Sequence, residues 1–474
     1  MSARRTDGGH STSVLLVSAS ISILAAYAIS MLIPAIPIIQ KDLATSTTTA
    51  AWITSGFLIV GAGSSPLFGK LGDVYGKKKM LLVALGFFTL GLGLAGFSPS
   101  VYVLIFSMSV AGVGFAMLPL MLGMMSDVFP KERTAMAQGL IMAGSAIGGA
   151  VGLVGGSYVV QYLGWRYLFY TSLVGSVALL GLAVVLLRET AVLVESKIDY
   201  AGASLLVSGV TLLLLYLSEG ASLGWLSAEA VSFLAPGVLL VGGFFAFERR
   251  RESPLIPLGL LRVRNVLVSN ITGLVAGLGN FLLFYAFVYY AELPPPFGLG
   301  LDILSTGIAL VPAMVVMFLF GPVMGRLLAK VGPKPVLLTG ASILTLGLIL
   351  FILERSAGAG LSLVAVVSFM GIVAMLVPIV NLITTSLPQQ NVSTGVGINT
   401  MLQSLGKAMG PVLATAVMTA FTDPITKSVE GKVTVVANLP TATAFNTIAV
   451  VGIILTVAVM GLSLAIKNYN YQKT

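Results

Sequence analysis

The sequence has no cysteine, a single histidine, and charged side chains at only 9% of its 474 positions. Without cysteine there are no disulfides, no thiolate metal ligands and no thiol nucleophile. His10 stands alone in a polar N-terminal stretch and has no second histidine with which to build a metal or acid–base centre. These absences exclude the common hydrolase and metalloenzyme chemistries, and no cofactor is implied. Soluble domains carry about a quarter charged residues, so this scarcity points to a lipid surrounding. What fills the chain instead is 57% hydrophobic residues with 54 glycines, at a mean hydropathy of +1.02. A bilayer core asks for about 20 apolar residues per helix, and runs of that length recur from one end to the other. This is the composition of an all-α polytopic membrane protein.

Breaking the chain at its charge and Pro/Gly clusters predicts fourteen spans. They are 14–39, 50–69, 80–97, 101–126, 135–161, 166–187, 200–218, 230–247, 266–291, 303–325, 335–353, 361–386, 393–421 and 442–466. The first is too long for a signal-peptide core and lacks a cleavage site, so it reads as a retained helix.

Orientation follows from the bias of lysine and arginine among the loops. With the N-terminus inside, the cytoplasmic side receives Arg4, Arg5, Lys70, Lys77, Lys78, Lys79, Lys131, Arg133, Arg188, Lys197, Arg249, Arg250, Arg251, Arg262, Arg264, Arg326, Lys330, Lys334, Lys467 and Lys473. The outer side receives Lys41, Arg166, Arg355, Lys427 and Lys432. This asymmetry predicts that both termini are cytoplasmic in a cell-membrane protein. It also accounts for the net charge of +9 as topology and contact with anionic lipid, not nucleic-acid binding. The remaining positive residue, Lys407, belongs to no loop.

"SPLFGKLGDVYGKKKML" (65–81) and "GPVMGRLLAKVGPKPVL" (321–337) align at a constant offset of 256. The alignment pairs Pro66 with Pro322, Gly69 with Gly325, Lys70 with Arg326, Gly76 with Gly332 and Lys78 with Lys334. A second echo is "GSAIGG" (144–149) against "GKAMGP" (406–411). Duplicated membrane halves are a transporter architecture with the substrate site between them. In the first loop the glycines permit close approach of two helices, and Asp73 with Lys77 supplies charges that can differ between two packings. A purely structural tight turn accounts for the same residues.

"GKLGDVYGKKK" (69–79) resembles the signature loop of the major facilitator superfamily. "GWRYLFY" (164–170), "DYAG" (199–202), "GASLGW" (220–225) and "ERRRESPLIPLGLL" (248–261) resemble its 14-helix drug:proton antiporter branch. The resemblance implies the major facilitator fold: a six-helix bundle at 1–190, two inserted transmembrane helices with a cytoplasmic linker at 191–260, and a second six-helix bundle at 261–474. It further implies a conformational latch of Gly69, Asp73, Gly76, Lys77 and Asp127, and exchange of substrate against protons. Three signatures differ. The proline of the family's helix 5 motif is absent from Val151, Gly152, Leu153, Val154, Gly155 and Gly156. Met108 and Ala111 stand where helix 4 normally has its arginine signature, and Ala28 where many relatives have an aspartate in helix 1. Losing both members of a buried ion pair is less costly than losing one.

Every aspartate and glutamate falls near a membrane surface, which leaves Lys407 as the deep ionisable residue. Counted from Ser393, it lies roughly 20 Å along its helix, near mid-bilayer. Such a charge costs about 2.5–3.5 kcal/mol to insert and is by default functional. Asn399 and Gln403 precede it at intervals of four and predict a shared polar face, with Gly406 and Gly410 packing on an adjacent one. Lys407 can attract an anionic or carbonyl-bearing substrate, or titrate and couple transport to protons. Further substrate-binding candidates are Met117 and Met121, in a methionine stripe that ordinary packing also explains, and Asn280, Tyr285, Tyr289 and Asn381, which could equally fasten helices. The outer segment 422–440 predicts a β-hairpin.

The leading reading is a secondary transporter, a monomer, that exports a small drug-like or amphipathic compound by alternating access. Its partners are the small-molecule substrate, membrane lipids and, through the resemblance, protons. A carrier of organic anions or a uniporter organised around Lys407 stays open beside it. So do a lipid-handling flippase and a sensor that binds without transporting.

Overall fold

The computed structural model describes residues 8–129, 131–189, 199–251, 258–355, 358–387, 389–429 and 432–466. Arg4, Arg5, Lys197, Lys467 and Lys473, among the charges assigned to the cytoplasm, lie outside the described residues.

Among the described residues, the regular structure is all-helical apart from one hairpin. The helices of the N-terminal part are α1 (Gly8–Ser30), α2 (Ile36–Asp42), α3 (Thr47–Tyr75), α4 (Lys77–Gly96), α5 (Val101–Gly112), α6 (Met117–Val128), α7 (Lys131–Leu163) and α8 (Arg166–Leu186). Then follow α9 (Tyr200–Leu223), α10 (Ala228–Glu248) and the single turn α11 (Leu258–Leu261). The last group is α12 (Arg264–Glu292), α13 (Ile303–Val331), α14 (Pro333–Leu353), α15 (Gly358–Ser386), α16 (Gln389–Ala420) and α17 (Ala442–Leu464). Among the described residues, twelve helical stretches are long and apolar enough to cross a membrane. Two further long helices, α7 and α16, at 33 and 32 residues, are diluted by glycine and polar residues.

Two expected spans are interrupted. The first breaks after Ser30, because Pro34 has no N–H to return to the preceding turn, and the chain restarts as α2 with Pro37 in its first turn. The fourth tightens to a 3-10 turn at Val113–Ala116 between α5 and α6. There Gly112 lies so close to Phe57 that a Cβ would overlap that residue's carbonyl oxygen.

Helix ends follow local chemistry. Ser100 and Asp302 cap α5 and α13 by accepting from Val103 N and Ser305 N. Gly76 (φ 104°) separates α3 from α4, and its repeat partner Gly332 (φ 82°) separates α13 from α14. Both take a backbone conformation that L side chains avoid, so the two copies of the repeated loop turn by the same means. Segment 422–440 forms the expected antiparallel hairpin, β1 (Thr422–Val429) with β2 (Lys432–Pro440), its register running from Thr422↔Pro440 to Val429↔Lys432 with one irregularity at Ile425/Thr426.

The described residues gather into two compact units, one drawn from 1–45, 53–211 and 238–256, the other from 46–52, 212–237 and 257–474. In the first unit α1 packs along α7, and α4 along α5 and α8. In the second, α12 packs along α16, and α14 against α15 and α17.

Candidate functional site

The α12–α16 pair is built on small residues. A Cβ at Gly406 would overlap the Leu274 carbonyl oxygen, and one at Gly410 would lie 2.9 Å from the Leu278 carbonyl oxygen. From the opposite side, a Cβ at Gly277 would overlap the Gln403 carbonyl oxygen. The two backbones therefore touch directly, the small-residue packing that apolar surroundings favour. Asn399 closes the same seam. It is 4% exposed and its Nδ2 donates to the Ser269 carbonyl oxygen (2.9 Å) and Asn270 Oδ1 (3.2 Å). Asn399 thus fastens two helices.

Lys407 follows Gly406 by one residue and so stands about 100° round the helix from the seam. It is half-buried, as is Gln403 one turn before it. Neither side chain has a hydrogen-bond or ion-pair partner among the described residues. Asn280 is also half-buried and also lacks a side-chain partner among them. It lies three residues beyond Gly277, on the same side of α12, and Gly277 is the residue against which Gln403 and Lys407 run. Three polar side chains thus line one edge of the seam, left unsatisfied by the protein. Gly277 lies roughly 20 Å from the start of α12, which puts this edge near the middle of the helix. Pro411 adds to the polarity, because it has no N–H to give the Lys407 carbonyl one turn below.

The first unit carries the matching seam. Cβ atoms at Gly144 and Gly148 would crowd the carbonyl oxygens of Ala19 and Ile23 in α1. Counting on from the aligned glycines, Ser145 corresponds to Lys407 and Ile141 to Gln403. Counting on from their partners, Ser22 corresponds to Gly277. Ser22 Oγ donates to the Ile141 carbonyl oxygen (2.8 Å) and is hydrogen-bonded to Ser145 Oγ. Where the first seam closes a serine pair, the second has a lysine whose backbone runs against a glycine that offers no side chain.

The remaining candidates lie elsewhere. Tyr285 and Tyr289 stack with ring centroids 6.2 Å apart and are buried in the second unit. Met117, Met121, Met124 and Met125 are all buried in the first, which places the methionine stripe in its packing. Asn381 is half-buried in α15. Ala28, Met108 and Ala111, at the positions of the missing aspartate and arginine signatures, are buried.

The loop named by the resemblance has a definite geometry. Lys77 Nζ donates to Asp127 Oδ2 at 2.6 Å. Gly69 lies in α3, and so does Asp73, whose side chain is outside what is described. A residue the sequence reading passed over completes the turn. Glu189, beyond the end of α8, accepts from the backbone N–H of Lys78 (2.9 Å) and Lys79 (3.0 Å) with its two oxygens. A carboxylate on the first turn of a helix is favourable for both its free N–H groups and its dipole. Nothing local in the sequence signals that partner, which is more than a hundred residues away.

Comparison with known proteins gives the geometry its setting. A family model described as Major Facilitator Superfamily matches residues 19–411. The tetracenomycin C resistance and export protein of Streptomyces glaucescens is 28% identical over 389 residues, 81% of this chain and 71% of its own. The multidrug resistance protein Stp of Mycobacterium tuberculosis is 26% identical over 393 residues, 82% of this chain and 72% of its own. In fold, the chain is similar to a bacterial homologue of the human lysosomal transporter Spinster, solved inward-facing and unoccupied. That likeness has a TM-score of 0.69 at 13% identity and covers 97% of each chain.

Proposed function

Because this chain belongs to the Major Facilitator Superfamily, we propose that it is a secondary transporter exporting a small organic compound by alternating access. As a member it is a transporter and not an enzyme, and a multi-pass protein of the cell membrane. The observation that carries the export reading is the polar edge at Lys407, Gln403 and Asn280, in a chain whose relatives are named for drug resistance and export. A half-buried charge without a protein partner among the described residues is costly, and the cost is met when cargo binds.

The proposal takes α7 and α16 as spans beside the twelve more apolar stretches, giving fourteen with both termini cytoplasmic. The lysine and arginine bias of the loops supports this. It further takes 1–190 and 261–474 as the two bundles, with 191–260 as the inserted helices and linker.

Reconstitution into proteoliposomes tests the function directly. Time-dependent movement of a compound from a drug panel, absent from protein-free vesicles, is the expected result; binding without movement overturns it in favour of a sensor. A pH-gradient arm decides coupling. Movement that follows the gradient makes the protein an antiporter. Movement indifferent to it makes the protein a uniporter, the outcome favoured by the alkyl residues at 28, 108 and 111.

A further inference from the structure

We infer that the cargo is an organic anion whose negative group is taken by Lys407, with the Gln403 and Asn280 amides beside it. The inference rests on the transporter reading above and specifies the substrate class of that same site.

Three observations carry it. The first is the comparison of the two seams. The position of Lys407 is occupied in the first unit by Ser145, whose hydrogen-bonding need is met by Ser22. In the second unit the residue corresponding to Ser22 is Gly277, where even a Cβ would overlap the Gln403 carbonyl oxygen. The second seam thus has a charge in place of a hydroxyl, and no side chain where its partner would be. Had Lys407 been needed only to fasten helices, its seam would have kept an acceptor for it.

The second observation is the absence of a countercharge. The helices packed on α16 in this unit are α12, α15 and α17. Between them, α12, α15, α16 and α17 contain one acidic residue, Glu292, the last residue of α12. It stands fifteen residues from Gly277, roughly 22 Å along the helix. That is far beyond the ~4–6 Å over which one charge offsets another in such a setting. A cation held partly away from water is stabilised by an anion, and this group of helices does not hold one within reach.

The third is the chemistry of the edge. Lys407 offers three N–H donors, and the Gln403 and Asn280 amides two each. All three side chains are half-buried without protein partners among the described residues. A donor-rich edge with one fixed positive charge suits a carboxylate or a similar singly charged oxyanion on an otherwise apolar body. A second negative charge would find no cation here, and an ammonium would be repelled.

The test uses the full-length protein with three probes of one ring system: 1-naphthoate, 1-naphthamide and 1-naphthylmethylammonium. Binding to detergent-purified protein is measured by equilibrium dialysis, and transport in proteoliposomes. The inference expects wild type to bind the carboxylate in preference to the amide. It expects Lys407→Gln to lose about ten- to a hundred-fold in carboxylate affinity, the worth of a hydrogen bond to a charged group, and much less in amide affinity. Lys407→Arg keeps the preference, and Gln403→Leu reduces it. Melting of each variant shows that it is folded. Equal or better handling of the amide or the ammonium, unaltered by Lys407→Gln, overturns the inference and leaves the transporter reading intact. Lysine-dependent carboxylate binding without transport does the reverse. No binding of any probe counts against both.

Discussion

Lys77 and Asp127 meet at 2.6 Å, with their side chains only 13% and 18% exposed, and so tie the start of α4 to the last turn of α6. Replacing either partner removes a charge-assisted hydrogen bond, a loss on the order of 1–3 kcal/mol. Asp127→Lys is expected to lower the melting temperature and slow transport. The exchanged pair Lys77→Asp with Asp127→Lys should recover most of both. Failure of the exchange to recover transport while it restores melting would show that the ion pair acts structurally and is no latch.

The glycine seams tolerate no side chain. Gly406→Ala and Gly148→Ala each drive a methyl into a backbone carbonyl, that of Leu274 or of Ile23, and backbone cannot rotate away as a side chain can. Both variants are expected to lose monodispersity on size-exclusion chromatography. Gly69→Ala, at a glycine with no atoms near its missing Cβ, should behave as wild type.

Asn399→Leu removes the donor to Ser269 and Asn270. Interhelical hydrogen bonds in membranes are worth about 0.6–2 kcal/mol, so the melting temperature should fall by a few degrees. The ratio of carboxylate to amide binding should not change, because this side chain belongs to the seam. A changed ratio would return Asn399 to the binding edge.

Glu189 is expected to matter through the turn it caps. Glu189→Ala leaves two backbone donors at the start of α4 to water, a loss on the order of 1 kcal/mol. Gly76→Ala should be worse, since it combines an unfavourable φ of 104° with a Cβ placed against the Glu189 carboxylate. If Gly76→Ala melts no lower than Glu189→Ala, this account of the turn is wrong.

Asp302 gives the start of α13 an acid-sensitive cap. Its carboxyl is held below the ordinary carboxylate range, chiefly by the Ser305 backbone N–H, against a smaller opposing effect of burial. A depressed value means that the stabilisation is complete above the unfolded-state value, ~3.9, and is lost as pH falls through the lower folded-state value. Asp302→Asn, which keeps a capping oxygen without the charge, should melt less steeply with acidification below about pH 4. Identical acid profiles for the two proteins would remove the effect.

The helices were legible because apolar runs of bilayer length have few other readings. The repeated loops were legible because their glycines recur at a fixed offset, and the positive φ at Gly76 and Gly332 shows why that residue is required at both. Lys407 declared itself as a charge where the surroundings have none. What spacing could not resolve was which polar residues share its edge. Asn399 and Lys407 are eight residues apart, and at about 100° per residue that separates them by about 80°. This is enough to place one inside the seam and the other beside it. Asn280 comes from a different helix, and Glu189 acts across more than a hundred residues, so neither relationship has a local signal.

The two glycine seams also divide the chain into positions that must stay fixed and positions free to diversify. Where backbones touch, a Cβ would overlap a carbonyl oxygen, so those positions call for glycine. One residue further round α16, at 407, the side chain has no partner among the described residues and can change without breaking a contact between helices. A lineage of carriers could therefore acquire new cargo through single substitutions at this address, on a scaffold that stays the same.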